Sequence, residues 1–278
     1  HRQRADQFVV ACGGVETPRL LLLSASDAYP DGLANSSGLV GRNFMDHPYV
    51  STLALVDEPG NPEPIGYVTS QCQAFYDHDD PRPGSVQLTF RNVEPVELVD
   101  PSLRGGDDLP GDLLDPFLGD VWGDELLEVM RGDDGPTPMI LDSAVEMLPR
   151  RSNRIALNED VTDDHGNPVP DVSLDLHDHA QATLERATEI HEDVVDELGG
   201  EVTWTNLNDP VFGGHHMGTT RMGTDPETSV VDPRLRTHDL SNLSVVSSST
   251  FVTGGALNPT LTIVALALRA VEHVHADL

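Results

Sequence analysis

Thr253-Gly254-Gly255-Ala256-Leu257-Asn258-Pro259-Thr260-Leu261-Thr262 runs a glycine turn straight into a long apolar helix. Asn258 is a suitable N-cap, and Pro259 suits the first helical position. From Thr260 to about His275 the residues are nearly all apolar, which predicts a deeply buried helix. The first N–H groups of such a helix have no partner within it, and its dipole is positive there, so its start is an anion site. The glycines let backbone approach a bound group closely. Read alone, these residues also fit an ordinary capped core helix.

Upstream, His215-His216-Met217-Gly218-Thr219-Thr220-Arg221-Met222-Gly223 sets two histidines beside glycines and one arginine. Histidine exchanges protons near neutral pH. Neighbouring side chains in extended backbone point to opposite faces, so only one of His215 and His216 can face a given pocket. Two solvated loop histidines are the plainer alternative.

The N-terminal end reads as part of an α/β unit. Residues 7–11 read as a short buried strand, Cys12-Gly13-Gly14 as a turn, and Thr17-Pro18 as the start of a helix through Leu20–Leu23. Alternation predicts strands over 49–56, 85–91, 144–148 and 153–158, and Leu243–Val246 is another. Leu184, Ala187, Ile190, Val194 and Leu198 repeat at helical spacing, and Gly199-Gly200 ends that helix. Residues 57–84 and 100–136 are rich in Pro, Gly and Asp and read as long loops, with one short helix near 124–130. Asp163-Asp164-His165-Gly166-Asn167 reads as a hairpin turn, since its acids miss the alternating positions of a calcium loop. His177-Asp178-His179 reads as a solvated edge, and no metal site is expected.

Composition narrows the function. The 278 residues carry 16 Lys+Arg against 47 Asp+Glu, a formal net charge of -31, and there is no lysine. Nucleic acid and anionic lipid would repel such a chain. Hydrophobic content of 38% in patterned segments argues for a folded protein rather than a disordered one. At molar salt the Debye length falls to about 3 Å, so the self-repulsion is screened. The acidity therefore predicts a salt-rich cytoplasm. Cys12 and Cys72 are too few for a disulfide framework, and no apolar run is long enough to span a bilayer. The first residue is His1, so an export signal upstream stays open.

Taken together, the two C-terminal stretches resemble the signature of the glucose-methanol-choline (GMC) oxidoreductases, flavoenzymes that oxidise alcohols and sugars. His-x-x-Gly-Thr-x-x-Met-Gly is followed in family order by Ser229-Val230-Val231-Asp232, by Asn242 to Ser249, and by Gly254-Gly255-Ala256-Leu257-Asn258-Pro259-Thr260. Ala11 to Leu21 and Val40-Gly41-Arg42-Asn43-Phe44-Met45-Asp46-His47-Pro48 also match, while the middle matches only weakly, at 146–149 and 153–155. The Asn-Pro-Thr version is similar to the pyranose oxidase and the gluconate or fructose dehydrogenase branches. With the acidity, the resemblance implies a haloarchaeal source.

The resemblance implies roles. His215 is the expected catalytic base and Asn258 its partner on the substrate oxygen. The implied reaction is oxidation of an alcohol, sugar or polyol CH–OH group, with the proton going to the base and hydride to flavin N5 of FAD. Gly13 and Gly14 would lie by the ADP portion of FAD, and Asn43 by the loop covering the flavin. Asn258, Pro259 and Thr260 would face the flavin N1/O2 edge. Ser247 and Ser248 would reach the cofactor, although Ser247 stands where the family commonly has Asp. His216 has no assigned role, and Arg221 either pairs with an acid or helps place the cofactor.

One departure matters. The family's Gly-x-Gly-x-x-Gly fingerprint occurs nowhere in 1–278. The chain therefore reads as about the C-terminal half of a family member. The expected fold is α/β: a partial Rossmann-like FAD domain, without its Gly-x-Gly-x-x-Gly portion, plus an α+β substrate domain with a mostly antiparallel sheet. Residues 1–48 would belong to the FAD domain, 49–204 to the substrate domain, and 205–278 to a return segment with the catalytic pair. The expected partners are an alcohol or sugar substrate, an unidentified electron acceptor, and an FAD-binding half upstream or on a separate chain. A truncated, non-catalytic remnant is the alternative.

Overall fold

The computed structural model describes residues 3–56, 68–77, 84–91, 123–124 and 137–276. The loop expected at 100–136, with its short helix at 124–130, lies outside these residues apart from 123–124. Of the loop expected at 57–84, residues 68–77 and 84 are described, and Val68–Cys72 is a strand, not a loop. The chain divides into two compact units. One comprises His1–His47, Met147–His177 and Gly213–Leu278, and the other Pro48–Glu146 and Asp178–Phe212. Residues 147–177, expected in the middle domain, thus fold with the two terminal segments.

In the first unit, β1 (Phe8–Val10) pairs in parallel with β10 (Leu243–Val245), with Phe8 opposite Leu243 and Val10 opposite Val245. Helix α1 spans Gly13–Leu23, five residues earlier than Thr17 as N-cap and Pro18 as first helical residue suggest, and Pro18 lies inside it. The reason is tertiary. A proline at position 18 leaves the Gly14 carbonyl without its i+4 donor. The buried Thr219 hydroxyl donates to that carbonyl instead, at 2.7 Å. Gly14 must be glycine, because a Cβ there would land on the His216 backbone.

The hairpin of β6 (Arg154–Thr162) and β7 (Pro168–Ser173) belongs to this unit for visible reasons. Arg19 of α1 donates to the Pro168 carbonyl at 2.9 Å and to Asp163 at 2.7 Å. Ile155 N–H donates to the Gly41 carbonyl, and Phe44 N–H to that of Asn153. The turn is local, as expected: Asp163 Oδ1 accepts the backbone N–H groups of His165 and Asn167. Leu21, Leu39, Val40, Val230, Val231, Leu235, Leu243 and Val245 make the core.

Helix α3 (Thr260–Ala276) differs most from expectation. Ala270 is its one buried residue, and Leu266 packs partly against the core. Leu261, Val264, Leu268 and Val271 are exposed. Apolar composition sets what a helix can bury; the neighbours it is given decide what it does bury. Among the described residues, those neighbours cover one face only.

The second unit is a six-stranded antiparallel sheet in the order β3 (Val68–Cys72), β4 (Val86–Arg91), β5 (Thr137–Val145), β2 (Pro48–Val56), β8 (Glu201–Thr205), with β9 (Val211–Phe212) also on β2. Helix α2 (Asp178–Glu197) packs on it through Leu184, Ala187 and Ile190, as their spacing predicts. Its buried His191 bonds Thr52 Oγ1 and Ser143 Oγ, each at 2.8 Å. Alternate residues put Ser51, Asp142 and Thr89 on the opposite face. There Ser51 Oγ donates to Asp142 at 2.5 Å, and Arg91 pairs with the same carboxyl at 3.1 Å.

Burial holds His191 well below the ordinary histidine range, at about 3. The folded chain therefore refuses a proton that the unfolded chain binds below about 6.5, and stability falls as pH drops through that window. His191 alone should cost about 2 kcal/mol on going from pH 7 to pH 5. Urea midpoints at the two pH values should therefore differ more for the native protein than for His191→Gln. An equal pH dependence in both would exclude His191 as the cause.

Candidate active site

Two short segments of the first unit run antiparallel and build the site. Met45 and Met217 exchange backbone hydrogen bonds at 3.0 and 2.9 Å. Gly218 has φ +88, and a Cβ on it would strike the Asn43 carbonyl. The fully buried Met45 and Met217 pack with Phe251 beneath. This fixes the residues on either side of the bridge, Asp46-His47 and His215-His216.

Asp46 is the clamp. Its Oδ1 accepts the backbone N–H groups of His47 and His215, both at 2.7 Å, and its Oδ2 lies 3.5 Å from His216 Nε2. Burial raises its pKa, and the two backbone donors work against that. The two histidines diverge, as extended backbone requires. His216 lies beside Phe44, with ring centroids 5.5 Å apart. The His215 ring points the other way, with Nδ1 2.9 Å from His47 Nδ1 and Nε2 3.1 Å from Asn258 Nδ2. Burial lowers the pKa of His215; Asp46 opposes this and His216 reinforces it. A neutral imidazole able to accept a proton is the result.

Asn258 reaches His215 because α3 starts one residue later than its sequence suggests. The first helical hydrogen bond runs from Ile263 N–H to the Pro259 carbonyl, at 3.0 Å. Pro259 is thus the N-cap, and Asn258 stands just before the helix with its amide free to turn toward the histidine.

The other expected residues divide. Gly14 and Ser248 both meet the His216 backbone, Ser248 Oγ donating to the His216 carbonyl at 2.6 Å. Asn43 adjoins Gly218, is buried, has φ +63, and its Nδ2 has no hydrogen-bond partner among the described residues. Thr260 opens α3. Ser247 caps the turn at Ser248–Thr250 through its hydroxyl, and Gly13 opens α1 with φ +71; neither is brought to the His215–Asn258 pair. Asp46 and His47 take structural places that the sequence reading did not assign. The signal was there, as an adjacent acid and histidine inside the Val40 to Pro48 stretch, but it gives no partner.

Comparison with known proteins fits this arrangement. Residues 149–267 match the family model described as GMC oxidoreductase, in its C-terminal form. The chain is 35% identical to the fructose dehydrogenase large subunit of Gluconobacter japonicus, over 100% of this chain and 48% of that protein. It is 34% identical to the 2-methyl-1,2-propanediol dehydrogenase of Mycolicibacterium austroafricanum, over 99% of this chain and 48% of the relative. Among solved structures, pyridoxine 4-oxidase from Mesorbium loti superposes with a TM-score of 0.65 at 20% identity, covering 98% of this chain and 52% of that one. The chain spans about half the length of the curated relatives that it matches. By the matched domain and the relatives named as dehydrogenases, the chain is similar to GMC oxidoreductases, with residues 149–267 matching their C-terminal domain, and it shares its fold with pyridoxine 4-oxidase.

Proposed function

We propose that the chain supplies the catalytic pair of an FAD-dependent oxidoreductase acting on the CH–OH group of an alcohol, sugar or polyol. The observation that carries this is the 3.1 Å approach of Asn258 Nδ2 to His215 Nε2 at the start of α3. One group can take a hydroxyl proton and the other can hydrogen-bond the same oxygen. His215 Nε2 accepts the proton as the C–H bond breaks. Asn258 holds the oxygen and steadies the charge developing on it. Relatives named for fructose, a propanediol and a pyranose favour hydroxyl-rich substrates. The polar sheet face with Ser51, Thr89, Asp142 and Arg91 supports reading the second unit as the substrate-binding one.

The residues present fit one part of FAD. The buried Asn43 Nδ2 is a donor without a partner among the described residues, and the α3 start, where Thr260, Leu261 and Thr262 are exposed, carries the positive end of the helix dipole, both suited to a ring edge that accepts hydrogen bonds. Bound FAD supplies the hydride acceptor. Gly13, Gly14, Ser247 and Ser248 are the remaining candidate contacts. The pyrophosphate-binding glycine turn is supplied by a further segment of the protein or by a second chain. The two-stranded parallel sheet of β1 and β10 supports this. Parallel sheets are normally covered on both faces, yet Phe8 and Val9 are exposed. The acidic composition favours a salt-rich cytoplasm.

The test is anaerobic mixing of the full-length protein with polyols and sugars in concentrated KCl, read as bleaching of bound flavin. Bleaching by one of them supports the reading; bound flavin that no CH–OH compound reduces overturns it. In the active protein, Asn258→Ala should lower kcat by about 10²-fold with little change in KM. An effect confined to KM would make Asn258 a substrate-binding residue only.

A further inference from the structure

A histidine can serve as a base only through a ring nitrogen that carries no proton, and the neutral ring has two forms. Which nitrogen is bare is set by what the other one bonds. In this site both ends of the His215 ring are engaged. Nε2 meets the Asn258 amide nitrogen, a donor, so Nε2 must accept. Nδ1 meets His47 Nδ1 at 2.9 Å, so one of those two nitrogens holds the proton between them.

The Asn258 contact decides which. A neutral imidazole carries one proton, and His215 Nε2 is taken up in accepting from Asn258, so the His215 proton sits on Nδ1. His47 Nδ1, 2.9 Å away, is then the bare acceptor that faces it. His47 is completely buried, and burial, with the neighbouring His215 adding to it, brings it down to about 4, so its ring stays neutral with its own proton on Nε2. That nitrogen lies near Gly254 and has no hydrogen-bond partner among the described residues.

We propose that His47 is a positioning residue that holds His215 in the Nδ1–H form, so that the Nε2 lone pair beside Asn258 is the site's proton acceptor. The inference rests on His215 being the base of the proposed reaction, and it says which atom of that base works and why. The contacts run in series from the His47 ring to the His215 ring to the Asn258 amide. Asp46 holds the backbone N–H groups of both histidines, so neither ring can change place without breaking the clamp. Asp46 and His216 are the other titratable groups facing His215, and both act on its charge rather than on the choice of nitrogen.

The test reads the tautomer directly. The chain is labelled with ¹⁵N in its histidine rings and studied in concentrated KCl at pH 7.5, with the His215 signals assigned by their loss in His215→Gln. The expected result is a proton on Nδ1 and a bare Nε2. In His47→Phe, which cannot accept, the proton should move to Nε2, the usual place in free imidazole. In His47→Gln, whose side-chain carbonyl accepts, the Nδ1–H form should return. A native His215 protonated on Nε2 overturns the proposal, and so does a His47→Phe chain that keeps Nδ1–H. Should His47→Phe fail to fold, the native and His47→Gln spectra decide alone, both having to show Nδ1–H. In the full-length protein, His47→Phe should slow flavin reduction at least about tenfold, with recovery in His47→Gln. The two readings fail separately. If the tautomer behaves as stated while His215→Ala reduces flavin at the native rate, the base assignment falls and the positioning stands.

Discussion

Replacing His215 by alanine is expected to slow reduction of the bound flavin about 10²- to 10⁴-fold, the usual worth of a positioned general base. Flavin binding and folding should change little. The segment is fixed by its backbone: the His215 N–H bonds Asp46, Met217 pairs with Met45, and Gly218 fits under Asn43. Truncation leaves all of this in place and removes the ring contacts to His47 and Asn258. Rapid mixing with substrate, following flavin absorbance, checks the rate, and the amplitude before mixing checks the bound flavin. An unchanged rate would remove His215 from the chemistry. The native pH profile carries a second sign. Burial lowers the pKa of His215, so the rate should be on its plateau at neutral pH and fall as acid protonates Nε2. That fall should lie below the ordinary histidine range, and it should vanish from the residual rate of the alanine variant.

Much of this site is legible in the sequence, and what is not has a physical reason. The pairing of His215 with Asn258 is implied by the family resemblance that the two motifs carry, not by the residues read alone. The strands at 8–10, 48–56, 86–91 and 243–245 follow from alternation and apolar runs. The start of α1 was misplaced because Pro18 signals a first turn, whereas the Thr219 hydroxyl, far along the chain, satisfies the carbonyl that the proline abandons. The clamp by Asp46 was not readable either. A carboxylate that bonds a backbone N–H 169 residues away leaves no periodicity to detect. Arg19 likewise joins α1 to the 154–173 hairpin through Asp163 and Pro168, which moves that hairpin from the expected middle domain to the first unit. Local signals fix elements; contacts distant in sequence decide where elements begin and what they touch.

The exposed face of α3 leads to the other large effect. Leu261, Val264, Leu268 and Val271 follow one another at steps of three, four and three, which lines them up along one side of the helix. Leu261 is 85% exposed and Leu268 67%. Covering four such side chains is worth on the order of 5 kcal/mol or more, at roughly 1.5–3 kcal/mol for each one fully buried. A surface of this kind beside the proposed catalytic pair is expected to be an interaction site rather than a solvated face. Under the proposed function it is covered by the segment that completes the FAD site. Two expectations of opposite sign follow. The isolated chain should self-associate in concentrated KCl, where salt screens the charge of -31 and strengthens apolar contacts, and the double substitution Leu261→Glu with Leu268→Glu should make it monomeric in sedimentation. In the full-length protein the same pair should destroy flavin binding, because two carboxylates would be buried without partners. A full-length double variant that keeps its flavin would show that this face stays in water. A native isolated chain that is monomeric at every concentration would show that the stripe does not drive association. The sign reversal between the two contexts separates a functional interface from a merely sticky helix, since a helix exposed in both would gain solubility in both.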